Sequence, residues 1–472
     1  MRHYNPSEIE PKWQQIWADD QRYHTNESSA KPKYYVTGMF PYPSGAGMHT
    51  GHFMEHSIVD AVARFRRALG YNVMYPIGWD SFGLPAENYA IKTGRKPRET
   101  TADNIANFKK QLRSVGASID WSREINTSDP EYYKWTQWIF TKLFEKDLAY
   151  QKESLQWWCP KDKTVLANEQ VIDGKCWRCD SVVVKKSMKQ WFFRITAYAE
   201  QLLAELPEMD WPDKIKIAQT NWIGKSEGAE ITFQVDGSDD TITVFSTRPD
   251  TIFGATFLVL APEHPLARTL LTDETRELVE NYINDAVKKS EIERSNDTKE
   301  KTGVFSGSYA INPATGQKIP IWIADYVLGG YGTGAVMGVP AHDDRDFAFA
   351  EKFELPVVEV IERPEDDIDT DACYHGEGVL VNSGAFDGTR SEDAREQIVA
   401  WLEQEGKGKS QITYKMRDWL ISRQRYWGAP IPIIYCPEHG AVPVPESDLP
   451  VLLPDVDDFQ PRGDGKSVLA AQ

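Results

Sequence analysis

The stretch Pro41-Tyr42-Pro43-Ser44-Gly45-Ala46-Gly47-Met48-His49-Thr50-Gly51-His52 separates a β-branched and aromatic segment, residues 34–40, from a segment with helical spacing of apolar residues. Prolines and glycines between a strand and a helix form a tight turn with free backbone N–H groups, and the helix N-terminus behind them attracts anions. The stretch therefore predicts a strand, a phosphate-binding turn and a helix, which together form a nucleotide pocket.

The segment after this turn has the features of a helix that ends at a glycine. Gly70 stands where a C-terminal cap belongs, and the apolar stripe before it consists of Ile58, Val62, Phe65 and Leu69. A second strand at residues 72–75 completes a strand-helix-strand unit. Further helical faces follow at Ile105, Phe108, Leu112 and Val115, and at Trp135, Ile139, Leu143 and Phe144. This alternation predicts an α/β fold with a doubly wound parallel sheet.

Two histidines, His49 and His52, lie three residues apart at the start of the expected helix, so they share one face. Their imidazole N–H groups can stabilise charge that develops on a phosphorus centre, and Gly51 between them leaves room for a nucleotide. A lone tetrapeptide of this kind is weak evidence, because such a pair more often binds a metal or packs in a core. The surrounding motifs decide its meaning.

These motifs resemble those of class I aminoacyl-tRNA synthetases. His49-Thr50-Gly51-His52 is similar to the family's His-Ile-Gly-His signature, and Pro41-Tyr42-Pro43-Ser44-Gly45 resembles its leucine-specific form. The run Gly78-Trp79-Asp80-Ser81-Phe82-Gly83-Leu84-Pro85 and the run Arg417-Asp418-Trp419-Leu420-Ile421-Ser422-Arg423-Gln424-Arg425 fit the same pattern. Motifs spread from about Tyr4 to about Leu453 resemble the N-terminal half of bacterial leucyl-tRNA synthetases, which implies a Rossmann catalytic domain.

The resemblance implies a site that joins leucine to ATP with Mg²⁺ assistance and then passes the leucyl group to tRNA(Leu). His49 and His52 would be catalytic, and Asp80 would bind the α-ammonium of leucine. The leucine side chain would contact Met39, Phe40 and Tyr42, and ATP would contact Pro41, Tyr42, Pro43, Ser44, Gly45, His49, Gly51 and His52. Met39 and Phe40 have an alternative interpretation as core residues at a strand end.

Between residues 225 and 415 the sequence predicts a β-rich α/β insertion, with strands at residues 230–235, 241–245 and 319–323. The resemblance makes it an editing domain, which the family needs because one pocket separates leucine from isoleucine by only about 1–3 kcal/mol. Thr251 would exclude leucine and Asp346 would bind the α-ammonium, beside Thr247, Arg248 and Asp343. Alternatively, Arg248-Pro249-Asp250 is only a turn, and Asp343 and Asp346 are a solvated pair at a helix start.

A zinc-knuckle-like insertion is expected at residues 156–185, with Cys159, Asp162, Cys176 and Cys179 as ligands. Asp162 occupies the place of the second cysteine in a four-cysteine pattern. Three thiolates and one carboxylate are an uncommon structural zinc set, so a metal-free packed turn is the alternative. Cys436 and His439 form a further half-site, for which no second ligand pair follows.

Composition sets broader limits. The 472 residues carry a formal net charge of −18, so phosphate contacts require local basic patches. The candidates are Arg64, Arg66 and Arg67, then Lys185, Lys186 and Lys189, then Arg417, Arg423 and Arg425, and the alternative for each is a solvated face. Five cysteines in so long a chain argue against a disulfide framework. The sequence shows neither a secretory signal nor a run of about 20 apolar residues. We expect a cytoplasmic protein without membrane contact.

The expected domains are residues 1–155 (first catalytic part), 156–185 (knuckle), 186–224 (return segment), 225–415 (editing) and 416–472 (catalytic re-entry, incomplete), with little packing after residue 455. The family's Lys-Met-Ser-Lys-Ser motif does not occur in the sequence, nor does an anticodon-binding domain. We therefore expect either one half of a split enzyme, with a separate C-terminal half subunit as a partner, or an incomplete product. The alternatives are a free-standing editing hydrolase and a non-catalytic tRNA-binding subunit.

Overall fold

The computed structural model describes residues 4–166, 170–172, 174–287, 289, 291–294, 300–329, 332–363, 373–461 and 468–471. The chain divides into two compact units, each built from separate stretches of sequence. The first unit comprises Met1–Val165, Lys186–Arg194 and Leu420–Gln472, and the second comprises Leu166–Lys185 and Ile195–Trp419. Residues 166–185 and 195–224, expected as separate segments, therefore group with the β-rich insertion.

The helices are α1 (Pro6–Asp19), α2 (Thr50–Ala68), α3 (Leu84–Thr93), α4 (Pro97–Ser114), α5 (Pro130–Glu145), α6 (Ala199–Glu205), α7 (Asp213–Ile223), α8 (Arg276–Ala286), α9 (Glu291–Arg294), α10 (Asp344–Phe353) and α11 (Ser391–Gln404). No helix in the described ranges is both long and apolar enough to span a bilayer.

The strands are β1 (Lys33–Tyr35), β2 (Asn72–Met74), β3 (Gly78–Trp79), β4 (Ile125–Asn126), β5 (Ala149–Cys159), β6 (Thr164–Leu166), β7 (Val171–Ile172), β8 (Lys175–Cys176), β9 (Val184–Phe193), β10 (Lys225–Val235), β11 (Thr241–Ser246), β12 (Phe257–Leu260), β13 (Gly303–Ile311), β14 (Lys318–Ala324), β15 (Ala335–Gly338), β16 (Ile361–Glu362), β17 (Val379–Leu380), β18 (Gly408–Tyr414), β19 (Trp419–Leu420), β20 (Ile433–Cys436) and β21 (Gly440–Pro443).

The first unit contains the predicted strand-helix-strand arrangement. β1 pairs in parallel with β2, with Tyr34 opposite Val73, and α2 connects the two strands. β3 pairs in parallel with β4. Both strand pairs that flank the predicted site are therefore parallel, which is the strand direction typical of α/β proteins. The core beneath them is fully buried and contains Ala63, Val73, Tyr75, Ile77, Trp79, Phe108, Leu112 and Ile119.

The first strand is shorter than the sequence predicts. β1 ends at Tyr35, whereas the prediction extended to residue 40. A Cβ at Gly38 would lie 3.0 Å from Glu55 Oε1, and the Met39 N–H donates to the same carboxylate. The backbone therefore turns toward α2 at Gly38. The Met39 N–H then donates to the Glu55 side chain instead of to a neighbouring strand.

The re-entry segment is tied to α3 by a buried ion pair. Arg425 Nε lies 3.1 Å from Glu87 Oε1, and the two side chains are 5% and 0% exposed. The Trp427 N–H donates to Glu87 Oε2 (3.0 Å), and its indole N–H donates to the Ser81 carbonyl (2.6 Å). Breaking such a pair by removing one partner typically costs about 3–5 kcal/mol, so these contacts fix the segment.

The expectation of little packing after residue 455 is wrong for part of this region. Val456 and Phe459 are each 7% exposed, and Val468 is 1% exposed. They belong to a core cluster with Tyr426 and Trp427. Three well-spaced apolar residues in a polar stretch are sufficient to anchor it when an aromatic surface is available, because each buried large side chain contributes about 1.5–3 kcal/mol.

The second unit is centred on a seven-stranded sheet of order β11-β10-β13-β14-β12-β15, with β18 also paired to β10. Within the described part of this sheet, neighbouring strands pair antiparallel, except for β12 with β14, which pair in parallel. A core cluster of 28 buried hydrophobic residues involves this sheet together with α8 and α11. This α/β insertion matches the β-rich expectation, and its strands include all three predicted ones.

Candidate functional site

The two predicted catalytic histidines are in direct contact. His49 is the N-cap of α2, and its ring stacks on that of His52 with centroids 3.6 Å apart and planes 19° apart. The His49 N–H donates to His52 Nδ1 at 3.3 Å, which leaves Nε2 to carry the proton of the neutral His52 ring. Burial, with His49 as a second cause, lowers the pKa of His52. His52 is thus prepared to act as a neutral N–H donor.

Gly51 has a more specific role than expected. A Cβ there would lie 3.1 Å from both Cε1 and Nδ1 of His49. The absence of a side chain at Gly51 therefore makes space for the His49 ring, whereas the sequence argument assigned this space to a nucleotide.

The turn at residues 41–48 is held by three amide side chains of α4 that the sequence analysis did not identify. Asn104 Nδ2 donates to the Pro43 carbonyl (2.8 Å), and Asn107 donates to the Ala46 carbonyl. Gln111 Oε1 accepts from the Met48 N–H at 2.9 Å. Asn104, Asn107 and Gln111 are three and four residues apart on α4, so their spacing was the available signal.

The predicted leucine-binding residues lie at the exposed edge of the first unit. Met39 is 75% exposed, so it is not a core residue, and Phe40 (37%) and Tyr42 (52%) are also accessible. Asp80 follows β3, and its N–H donates to the Pro41 carbonyl at 3.1 Å. Burial raises the pKa of Asp80, while a hydrogen bond from Tyr42 opposes that shift. The structure thus brings Tyr42 and Asp80 together in a site of mixed apolar and acidic character.

In the second unit, Arg248 is oriented by a fully buried carboxylate. Its Nη2 donates to Asp250 Oδ2 (2.9 Å) and its Nε to Asp250 Oδ1 (3.1 Å). Arg395 Nε donates to the same Oδ1 at 3.3 Å, and Asp250 is 0% exposed. Thr251, 3% exposed, donates its hydroxyl to the Arg248 carbonyl at 2.9 Å, whereas Thr247 is exposed. Arg248-Pro249-Asp250 is therefore the start of a buried 3-10 turn, Pro249–Gly254, built around a charge cluster.

Asp343 and Asp346 differ in environment. Asp343 is the N-cap of α10, and its Oδ1 accepts from the N–H groups of Arg345 (2.9 Å) and Asp346 (3.2 Å). Asp346 is 7% exposed and accepts from the Val339 N–H (2.9 Å) and the Tyr326 hydroxyl (3.2 Å). Burial, followed by the charge of Asp343, raises the pKa of Asp346 to about 7. The alternative of a solvated pair does not fit Asp346.

The two predicted motifs of this unit are connected by residues 373–377, which the sequence analysis missed. Arg248 Nη1 donates to the His375 carbonyl at 3.1 Å. His342 Nδ1 donates to the Tyr374 carbonyl (2.7 Å), while its Nε2 accepts from the Val360 and Ile361 N–H groups. His342 is therefore a neutral structural histidine, in agreement with a pKa lowered by burial. A cysteine and a histidine two residues apart were the only sequence signal for this segment.

The predicted zinc ligands fall in both units. Cys159, fully buried, ends β5 and accepts from the Asp162 N–H at 3.2 Å in the first unit. Cys176 is buried on β8 in the second unit, where Cys179 Sγ lies 3.4 Å from the Ser181 hydroxyl. The four-ligand set remains a prediction. In the first unit, Cys436 Sγ lies 3.3 Å from His439 Nδ1.

Three arginines of the candidate basic patches make contacts within the first unit. Arg64 pairs with Asp60 at 2.7 Å, Arg67 donates to the Ser118 hydroxyl at 2.6 Å, and Arg425 is buried. These arginines stabilise the fold, so local basic character does not identify a phosphate-binding surface at Arg64, Arg67 or Arg425.

Comparisons with known proteins give a consistent result. A family model described as tRNA synthetases class I (I, L, M and V) matches residues 12–231 and 392–450. A second, described as leucyl-tRNA synthetase, editing domain, matches residues 220–403. Among solved structures, the agnB2 LeuRS of Agrobacterium radiobacter K84, in a ternary complex with tRNA and LeuAMS, is 40% identical with a TM-score of 0.82. The match covers 99% of this chain and 55% of that chain, so this chain spans about half of its length.

The environment of Asp346 predicts a pH-dependent stability. Its pKa in the folded chain, about 7, is above the ordinary value of 3.8, so its contribution to stability is complete below about pH 4 and is lost as the pH rises through 7. Asp346→Asn cannot ionise. Denaturant unfolding should show the wild type losing stability relative to Asp346→Asn between about pH 4 and about pH 7. Identical pH dependences of the two proteins would contradict the assigned environment.

Proposed function

The chain belongs to the class I tRNA synthetases, in the group that the family model describes as I, L, M and V, and we propose that it carries the leucine-activating and editing parts of a leucyl-tRNA synthetase. The match of residues 220–403 to the leucyl-tRNA synthetase editing domain is the observation that carries this proposal. It is specific to leucine, and it coincides with the unit in which Arg248, Thr251 and Asp346 lie.

In the activating site, the α-ammonium of leucine pairs with Asp80, and the side chain packs on Met39, Phe40 and Tyr42. The carboxylate oxygen of leucine attacks the α-phosphorus of ATP, and the bond to the β,γ-pyrophosphate breaks. The Nε2–H of His52, whose tautomer is fixed by the His49 N–H, donates to the phosphate oxygens as charge develops there. The turn at residues 41–48 presents backbone N–H groups to the same phosphates.

The partners and cofactors in this proposal are leucine, ATP, tRNA(Leu) and Mg²⁺, which would neutralise phosphate charge when bound. Zn²⁺ enters the proposal through the predicted ligands Cys159, Asp162, Cys176 and Cys179, although three thiolates and one carboxylate are an uncommon structural set. A cytoplasmic location belongs to the proposal as well. The free-standing hydrolase is the alternative that the following binding experiment tests.

Asp80→Asn should weaken binding of the leucyl-adenylate analogue LeuAMS by about 10- to 100-fold, because a charge-assisted hydrogen bond contributes about 1.5–3 kcal/mol. Isothermal titration calorimetry measures this difference directly. Asp103→Asn is the matched control, since Asp103 is 64% exposed and pairs with Arg95 on the surface, and its affinity should be unchanged. Absence of LeuAMS binding by the wild type would favour the free-standing hydrolase.

In the editing site, water attacks the ester carbonyl that joins a wrong amino acid to the tRNA ribose. The C–O bond to the ribose breaks, the amino acid leaves as its acid, and the ribose oxygen regains a proton. Arg248, held by Asp250 and by the His375 carbonyl, supplies positive charge next to the ester. Thr251 limits the space for a γ-branched side chain, and Asp346 pairs with the α-ammonium.

Thr251→Ala should enlarge this space, so the variant should hydrolyse leucyl-tRNA(Leu) about 10- to 200-fold faster than the wild type does, in line with the value of one methyl-sized contact. Deacylation of radiolabelled leucyl-tRNA(Leu) measures the rate. Thr243→Ala is the control, because Thr243 is a half-buried threonine on β11 paired with Thr232. Equal sparing of leucyl-tRNA by both variants would show that Thr251 does not exclude leucine.

A further inference from the structure

Three side chains with different donor atoms converge beside the start of α10. Cys373 Sγ lies 2.9 Å from Asp344 Oδ1 and 3.3 Å from His375 Nε2. His375 Nε2 lies 3.1 Å from the same Asp344 Oδ1. One sulfur, one nitrogen and one oxygen therefore form a triangle, and these three atom types are the ones that bind Zn²⁺ in proteins.

The orientation of the histidine ring suits a ligand. His375 Nδ1 lies 3.2 Å from the His342 carbonyl, which can only accept, so Nδ1 carries the proton. The lone pair of the neutral ring is then on Nε2, which faces Cys373 and Asp344. Metal-binding histidines are commonly oriented by this type of second hydrogen bond, which raises the basicity of the ligand nitrogen.

The distances also suit a small cation. Tetrahedral Zn²⁺ with bonds of about 2.3 Å to sulfur and about 2.0 Å to nitrogen and oxygen separates its ligand atoms by about 3.3–3.6 Å. The observed separations of 2.9–3.3 Å need only small outward movements. Cys373 is buried, whereas the side chains of Asp344 and His375 are 77% and 46% exposed and have room to adjust.

The guanidinium groups near this cluster have other partners. Arg345 on the same helix is paired with Asp343 at 3.0 Å, Arg248 is paired with Asp250, and Arg363 donates to the Cys373 carbonyl at 3.5 Å. Among the ion pairs of the described residues, the exposed carboxylate of Asp344 pairs with His375 and not with an arginine.

We propose that Asp344, Cys373 and His375 bind one divalent cation of the Zn²⁺ type, with a solvent molecule as the fourth ligand. Cys373 loses its thiol proton to solvent on binding. The cation joins residues 373–377 to the first turn of α10. The His375 carbonyl accepts a hydrogen bond from Arg248, and Asp346 follows Asp344 by two residues. Bound metal would therefore stabilise the positions of both predicted editing motifs.

Metal stoichiometry tests this proposal without any activity assay. The full chain, stripped of metal and equilibrated with Zn²⁺, should bind one equivalent more than Cys373→Ser, Asp344→Asn and His375→Asn, measured by elemental analysis. Other zinc sites cancel in the difference. Cys436→Ser is the matched control, because Cys436 also contacts a histidine, His439, and it should bind as much as the wild type.

Co²⁺ gives an independent measurement, because a thiolate ligand adds a charge-transfer absorption band. The intensity of this band should be lower in Cys373→Ser by the contribution of one thiolate. In a separate measurement, Zn²⁺ should raise the melting temperature of the wild type more than that of His375→Asn. The exposed positions of Asp344 and His375 keep the test valid if Cys373→Ser does not fold. Equal Zn²⁺ uptake by the wild type and the Asp344 and His375 variants overturns the proposal, as does loss of the equivalent only in Cys436→Ser.

Discussion

A carboxylate without solvent exposure must be neutralised where it lies, and Asp250 imposes this requirement on the second unit. Its two guanidinium partners come from distant parts of the sequence, Arg248 in the turn after β11 and Arg395 in α11. Arg395 also pairs with Glu377 at 2.6 Å, which brings residues 373–377 into the same network. The position of Arg248 is therefore a consequence of charge burial, and the predicted editing motifs are assembled around it.

The first unit solves a related problem in a similar way. Glu87 is buried in α3 and pairs with Arg425 of the re-entry segment, and the same carboxylate accepts from the Trp427 N–H. Burial raises the pKa of Glu87, and Arg425 only partly offsets that shift. In each unit a buried acidic residue thus joins parts of the chain that are far apart in sequence, and each network lies beside a predicted site.

Sequence reasoning identified what depends on local patterns. The apolar stripe predicted α2, the Gly- and Pro-rich turn predicted its start, and alternating segments predicted β10, β11 and β14. It did not identify the residues that hold the turn before α2. Asn104, Asn107 and Gln111 bind this turn through hydrogen bonds between residues that are far apart in sequence. Residues 373–377 were missed for the same reason, since Tyr374 and His375 contribute mainly through backbone carbonyls, which leave no signature in side-chain identity.

An editing site of the leucyl type in the second unit should give the unmodified chain a selective hydrolase activity on aminoacylated tRNA(Leu). Deacylation of isoleucyl-tRNA(Leu) and of leucyl-tRNA(Leu) should be measured side by side under single-turnover conditions. The isoleucyl ester should be hydrolysed faster than its spontaneous rate, and the leucyl ester should be spared. Equal rates for the two esters, or no acceleration of either, would contradict this assignment.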